Sequence, residues 1–367
     1  MNPLEGQSAS GVVPADCAIG TEARPRCCLC GAEGRPLYAG LRDRLFSAPG
    51  VWSLRQCPDG RCGLLWLDPM PRAEEIARAY ARYYTHAAVG NGSASALKRA
   101  WRTWKAAYLT ERFGYNGEAK RGPTRALAAL MYLLPVRRRD VEASVRYLPA
   151  QPGGRLLDVG CGSGDWLVQM RARGWQVEGL DFDPTAVEVA RKRGLPVRLG
   201  PLEQQGYEAE SFDAVTLHHV IEHVPDPVAT LRECHRVLRR GGRLVVATPN
   251  VHSLSHRVFG PDWRGLEPPR HLHLFTPESL RRALRDAGFH QLVMHPQIVF
   301  SVVFESLLLR RGQTNPFPPT RPFRSARALA TLFNLAELVL LRARPEWADC
   351  VTVVAEKTRE ARDRSGR

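Results

Sequence analysis

Leu156-Leu157-Asp158-Val159-Gly160-Cys161-Gly162-Ser163-Gly164-Asp165-Trp166-Leu167 decides the fold of this 367-residue chain. The first four residues make the short apolar run expected of a buried parallel strand. Glycines at alternate positions then end the run, and Asp165 opens a helical pattern. Glycine supplies dihedrals closed to other residues and leaves room for a ligand against the backbone, while a helix N-terminus offers unpaired amides to a carboxylate or phosphate. Taken alone, such a turn also fits a dinucleotide fold.

Working outward, the next apolar run, Val177-Glu178-Gly179-Leu180, ends in Asp181, a carboxylate placed to accept both hydroxyls of a ribose. Further β-branched runs follow at 197–199, 212–220, 243–248, 291–299 and 350–355, separated by helical patterns near 166–173, 185–193, 228–239 and 277–287. This alternation predicts a doubly wound α/β sheet. Thr276-Pro277-Glu278 is a helix start with Thr as N-cap, and Gly288 a helix stop.

Asp158 inside the first strand, Ser211-Phe212-Asp213-Ala214-Val215 and Glu222-His223-Val224-Pro225-Asp226-Pro227 separate the chain from nicotinamide enzymes. With them the sequence resembles the class I S-adenosylmethionine-dependent methyltransferases over Gly153 to Lys357. The resemblance implies a Rossmann-like, seven-stranded methyltransferase sheet and S-adenosylmethionine as methyl donor. It places Asp158, Gly160 and Gly162 at the methionine end, Asp181 on the ribose, and the segment after the third strand beside adenine. It also assigns Cys161, Gly164, Phe182, Leu202 and His218 to the cofactor site. Pro201 stands where many relatives carry an acidic residue, so the backbone of Leu202, or Glu203, would have to meet the adenine amino group. For Asp158 a purely local role, tying down the turn's own amides, stays open, as does a capping role for Asp181.

The end of the fourth strand supplies His218, His219, Glu222 and His223, and a later loop, Pro269-Arg270-His271-Leu272-His273, supplies two more imidazoles. If helical, His219, Glu222 and His223 share one face. The group is similar to the Glu-x-x-Glu-His cluster of ubiquinone-pathway O-methyltransferases and small-RNA 3′-terminal 2′-O-methyltransferases, which binds a divalent metal. Here His219 replaces the first glutamate, and His271 stands where the RNA enzymes place a further ligand. His219, Glu222, His223 and His271 are therefore the catalytic candidates. A second divalent metal, general-base or substrate-orienting histidines, and loop packing all remain open.

Nearer the N-terminus, Cys27-x-x-Cys30 and Cys57-x-x-x-x-Cys62 form two pairs suited to tetrahedral, structural zinc. Four thiolates leave no open position for catalysis. The stretch from Cys27 to Tyr84 resembles the zinc-ribbon head of a bacterial methyltransferase subfamily tied to cell-surface sugar or secondary-metabolite modification. The expected organisation is a disordered leader (1–24), a zinc-ribbon-like module (25–72), a basic helical connector or lid (73–150), the methyltransferase domain (151–358) and a disordered tail (359–367).

The net charge of +15 favours acidic partners, although an arginine-rich composition alone accounts for it as well. Lys98, Arg99, Arg102, Lys105, Arg112 and Arg137 to Arg139 crowd the connector, which suits contact with an anionic membrane surface or plain packing as a lid. The longest apolar stretches, 126–136 and 328–341, are too short for a span or are broken by Pro135, Asn334 and Glu337. No secretory or mitochondrial leader is legible, so a cytoplasmic protein, peripheral to the membrane at most, is expected. The leading function is methylation, at oxygen, of a small-molecule or glycan-type acceptor. RNA 2′-O-methylation, without a recognisable RNA-binding module, and a non-catalytic cofactor-binding scaffold are the alternatives.

Overall fold

The computed structural model describes residues 19–80, 96–115, 123–313 and 323–358. Five short strands open the chain: β1 (Thr21–Glu22), β2 (Arg35–Leu41), β3 (Trp52–Gln56), β4 (Leu65–Leu67) and β5 (Met70–Pro71). A 3-10 helix, Ala73–Tyr80, follows, then α1 (Ala96–Phe113), α2 (Pro123–Ala129) and α3 (Pro135–Ala143). Tyr108, Val141 and Val145 of this helical unit pack with Leu156, Leu167 and Trp175 of the main domain in one core.

The main domain runs β6 (Arg155–Val159), α4 (Asp165–Arg171), β7 (Gln176–Asp181), α5 (Pro184–Lys192), β8 (Val197–Leu199), β9 (Phe212–His218), α6 (Pro227–Val237) and β10 (Leu238–Pro249). It continues with α7 (Leu254–Phe259), β11 (His273–Leu274), α8 (Pro277–Asp286), β12 (Gln291–Gln297), α9 (Phe300–Arg310), α10 (Arg324–Leu340) and β13 (Cys350–Glu356). Local chemistry sets the helix starts. Asp183 and Asp226 accept amides of the first turns of α5 and α6, each followed by proline, and Thr276 and Ser279 cap α8 reciprocally.

Seven strands form one sheet in the order β12-β13-β10-β9-β6-β7-β8. All neighbours from β10 to β8 are parallel, while β13 runs antiparallel to both β10 and β12. This is the doubly wound methyltransferase sheet that the sequence predicts. Strand order reverses between β6 and β9, and at such a switch point a crevice opens beyond the carboxyl ends of the strands. The glycine turn after β6 and the histidines after β9 both lie there.

The N-terminal strands do not stand apart. Their sheet has the order β11-β4-β3-β2, so its last strand is His273–Leu274 of the main domain. Leu67 also donates to Leu272 O at 3.0 Å, and Thr276 Oγ1 to Cys62 O at 2.8 Å. A module bounded at residue 72 is therefore completed by a loop two hundred residues later in the chain. The expected leader is shorter than 1–24, because Ile19 is buried and β1 pairs with β5. Residues 1–18, the end of the zinc-ribbon-like stretch expected to reach Tyr84, and the tail 359–367 lie outside the described residues. Among the described residues, no helix is long and apolar enough to cross a membrane.

Candidate functional site

Gly160, Gly162 and Gly164 all adopt positive φ (71°, 54° and 79°), the region closed to most side chains. A Cβ at Gly162 would meet nothing within 4 Å, so the turn leaves an open cradle there. The turn's amides are largely spent internally: Gly160 and Cys161 donate to Leu180 O at 2.7 and 2.9 Å, and Gly162 to Asp181 Oδ2 at 2.8 Å. What it offers a ligand is chiefly room. The Cys161 thiol fills the space that Gly179 leaves on β7, and burial pushes it well above the ordinary thiol range.

Asp181 is buried at the end of β7, its Oδ1 accepting the Asp183 amide at 2.9 Å. Burial raises its carboxyl, and the two amides work against that rise. Phe182 beside it is 44% exposed and meets the Tyr80 ring. Leu202 is buried as a whole residue, and its carbonyl accepts the Gln205 amide at 3.1 Å. Glu203 is engaged by the Thr230 hydroxyl.

The local role considered for Asp158 is not what the structure shows. Its Oδ1 pairs with the Arg146 guanidinium and accepts from Thr216 Oγ1 at 2.7 Å, while the buried Oδ2 has no partner in the protein. Arg146, lying 3.6 Å over the Trp166 ring, was one cation among many in the connector, and nothing in the sequence set it apart.

The histidine cluster departs from the helical face expected of it. His219 has φ of 56°, and the chain turns at 221–223 without forming a helix. Its Nδ1 lies 3.2 Å from Glu222 Oε1. Burial opposes a charge on this imidazole, but the Cys350 side chain and the Glu222 carboxylate raise it to about 10. His218, neutralised by burial and by His219, ends β9.

Instead, Glu222, His223 and His271 converge, with one ligand atom from each lying within 4.8 Å of the others. His271 Nδ1 lies 2.7 Å from Gly265 O, and His223 Nδ1 lies 3.0 Å from Arg270 O. Carbonyls only accept, so both Nδ1 atoms carry protons and Nε2 is the atom of each ring left to face a metal. Burial lowers His271 to about 4, so it is neutral. Although burial alone would raise Glu222, chiefly the hydrogen bond from His219 holds it at about 2. Its Oε2 is buried without a partner. A carboxylate oxygen lacking a donor beside two oriented imidazoles is the ligand set of a divalent cation with open positions. The residues present fit such an ion. His273, by contrast, is spent in β11 opposite Trp66.

Tyr80 was missed by sequence reasoning. Its hydroxyl lies 2.9 Å from His223 Nδ1, and its ring meets Phe182 edge-on at 4.7 Å. One side chain from the N-terminal unit thus touches both Phe182 after β7 and His223 after β9.

Behind this face, Arg270 is fully buried. It binds Asp43 and Glu267 at 2.8 Å each and Ala79 O at 3.1 Å, bracing the His271 loop against the N-terminal unit.

The four expected cysteines also converge, all within 4.8 Å of one another. The Cys27–Cys62 and Cys30–Cys57 sulfurs are 3.7 and 3.3 Å apart. Zinc–sulfur bonds of about 2.3 Å in a tetrahedron give edges of about 3.8 Å, close to these spacings. Burial and the Cys30 thiol push Cys57 up to about 11, so such thiols ionise together only on a cation. The longer second spacing is absorbed by a turn in which Cys62 and Gly63 donate to Asp59 O.

A family model described as a methyltransferase domain matches residues 136–293. A ubiquinone biosynthesis O-methyltransferase of Xanthomonas axonopodis pv. citri (strain 306) is 38% identical over 180 residues, covering 46% of this chain and 72% of the relative. That of Xanthomonas campestris pv. campestris (strain B100) is 42% identical over 179 residues, with 45% and 72% covered. Among solved structures, a Thermotoga maritima methyltransferase described as a possible histamine N-methyltransferase aligns at 19% identity and TM-score 0.42, over 77% of this chain and all of that one. The chain belongs to the class I S-adenosylmethionine-dependent methyltransferases.

Proposed function

We propose that the chain transfers the methyl group of S-adenosylmethionine to a hydroxyl oxygen of a small acceptor, beside a divalent cation held by Glu222, His223 and His271. The observation that carries this reading is the convergence of Glu222, His223 and His271, with Tyr80 bridging His223 to Phe182 just beyond β7. The relatives named as O-methyltransferases of ubiquinone biosynthesis support oxygen and a small acceptor over a glycan or RNA.

In this reading the methionine end lies against Gly160, Gly162 and Gly164, with the unpartnered Asp158 oxygen toward its ammonium. Asp181 takes the ribose hydroxyls, Phe182 and the Leu202 backbone flank adenine, and His218 lies beside the sulfonium end. Attack on the methyl carbon is in-line, so the protein chiefly aligns two partners and excludes water. When bound, a divalent cation acidifies and orients a hydroxyl. His219 fixes Glu222 through their hydrogen bond. Cys27, Cys30, Cys57 and Cys62 hold structural zinc, and the unit they organise completes the catalytic loop through β4 and β11.

Calorimetry with S-adenosylhomocysteine tests the donor half: Asp181→Ala is expected to weaken binding at least tenfold, and unchanged affinity refutes the ribose assignment. Labelled S-adenosylmethionine offered to lysate fractions tests the acceptor half. Label is expected in extractable small molecules, suppressed by chelator and restored by an added divalent cation. Label confined to RNA overturns it.

A further inference from the structure

Most of the large apolar side chains exposed among the described residues fall in two stretches. They are 126–136 and 328–341, the two longest apolar runs of the sequence. In the second, α10 is inverted. Its inward face carries Ala326, Ala330, Asn334 and Glu337, whereas Leu329, Leu332, Leu335, Val339 and Leu340 face outward, Val339 at 64% exposure. A helix on an aqueous surface does the opposite. The polar residues that interrupt the run in sequence are the ones turned into the protein. In the first stretch Ala128 and Met131 are buried while Leu130, Tyr132, Leu133 and Leu134 project, Leu133 at 74%.

The second stretch borders the carboxyl edge of the sheet, and the chain beyond the first reaches β12. Tyr147, just beyond α3, stacks on His295 of β12 at 3.8 Å and accepts from Gln297. α9 starts three residues later, and Asn334 of α10 donates to Phe300 O. Charge selects the occupant. Arg324, Arg327 and Arg342 are exposed at the two ends of α10, Arg344 beyond them pairs with the exposed Glu346 at 3.6 Å, and the one carboxylate within the helix, Glu337, is buried. Arg137 to Arg139 follow the other stretch directly. A two-fold contact between copies would set these arginines against themselves, whereas an anionic bilayer surface offers apolar depth rimmed by negative charge.

We infer that the outward leucines of α10, with Leu130 to Leu134, dock this protein on an anionic membrane surface, setting the carboxyl edge of the sheet toward the lipid. The inference stands on the inverted helix and is independent of the acceptor's identity.

Co-sedimentation of the full-length, zinc-loaded protein with phosphatidylcholine vesicles, with and without phosphatidylglycerol, tests it. Wild type is expected to pellet with the anionic vesicles and far less with the neutral ones. Leu332→Ser with Leu335→Ser, at exposed positions, should lower the apparent affinity at least tenfold with an unchanged melting temperature, and Leu133→Ser should lower it in part. Wild type that stays in the supernatant with anionic vesicles overturns the inference. So does binding that the double substitution leaves intact, or a light-scattering dimer that the same substitution dissolves, since a second copy then covers the leucines.

Discussion

The Tyr80 hydroxyl lies 2.9 Å from Nδ1 of His223, and this contact ties the cysteine-bearing N-terminal unit to the histidine cluster of the methyltransferase domain. The same ring packs on Phe182, so the side chain has two separable jobs. Partners that orient a ligand histidine typically govern about 10–100-fold in metal affinity. Tyr80→Phe should therefore weaken divalent-cation binding by about tenfold while leaving S-adenosylhomocysteine affinity unchanged. Tyr80→Ala should weaken both, and titration calorimetry of each ligand reads the difference.

Zinc removal should reach further than the N-terminal unit. Cys62 lies three residues before β4 of the sheet that β11 completes, and its carbonyl accepts from Thr276, the N-cap of α8. Stripping zinc, or Cys62→Ser, is expected to lower the melting temperature cooperatively and to raise amide exchange at 271–276. Exchange confined to residues before 72 would show that the two parts are independent.

Arg270 is a buried cation between two carboxylates and a carbonyl. Removing one partner of such a network typically costs about 3–5 kcal/mol. Arg270→Met should show that loss in urea unfolding. Arg270→Lys should recover little of it, because an ammonium cannot span Asp43, Glu267 and Ala79 with the guanidinium's planar fork.

Stability should fall with rising pH through Glu337. Burial, reinforced by Asp349, pushes its carboxyl up to about 8, and neither oxygen has a partner. A folded-state value above the unfolded one near 4.5 means that the native state binds the extra proton. Its contribution is complete below the unfolded value and disappears as pH climbs through about 8. Melting temperature should decline from pH 5 to pH 9, and Glu337→Gln, an isostere of the protonated form, should flatten that decline.

Much of this architecture was legible because it rests on short-range rules. The strand, glycine turn and helix around Gly162 follow from local dihedral and burial constraints, as do the caps at Asp183, Asp226 and Thr276. The four cysteines were legible as two knuckles, and their convergence adds the spacing that sequence could not supply. What stayed hidden depends on contacts between distant segments. No local signal in Pro269-Arg270-His271-Leu272-His273 marks His273–Leu274 as the edge of a sheet begun at Arg35. Tyr80 and Arg146 are ordinary members of helical patterns until the fold brings them to His223 and Asp158. His219 was read on a helical face because spacing alone favoured it, yet its left-handed backbone turns it onto Glu222. The periodicity of α10 gives its two faces but not which of them points inward.

The most direct test of the account is calorimetric titration of manganese into zinc-loaded protein saturated with S-adenosylhomocysteine, compared with His271→Ala. One additional manganese site per chain is predicted for wild type, with none in the variant and with S-adenosylhomocysteine affinity equal in both. Wild type that binds S-adenosylhomocysteine but no manganese would contradict the metal assignment at Glu222, His223 and His271.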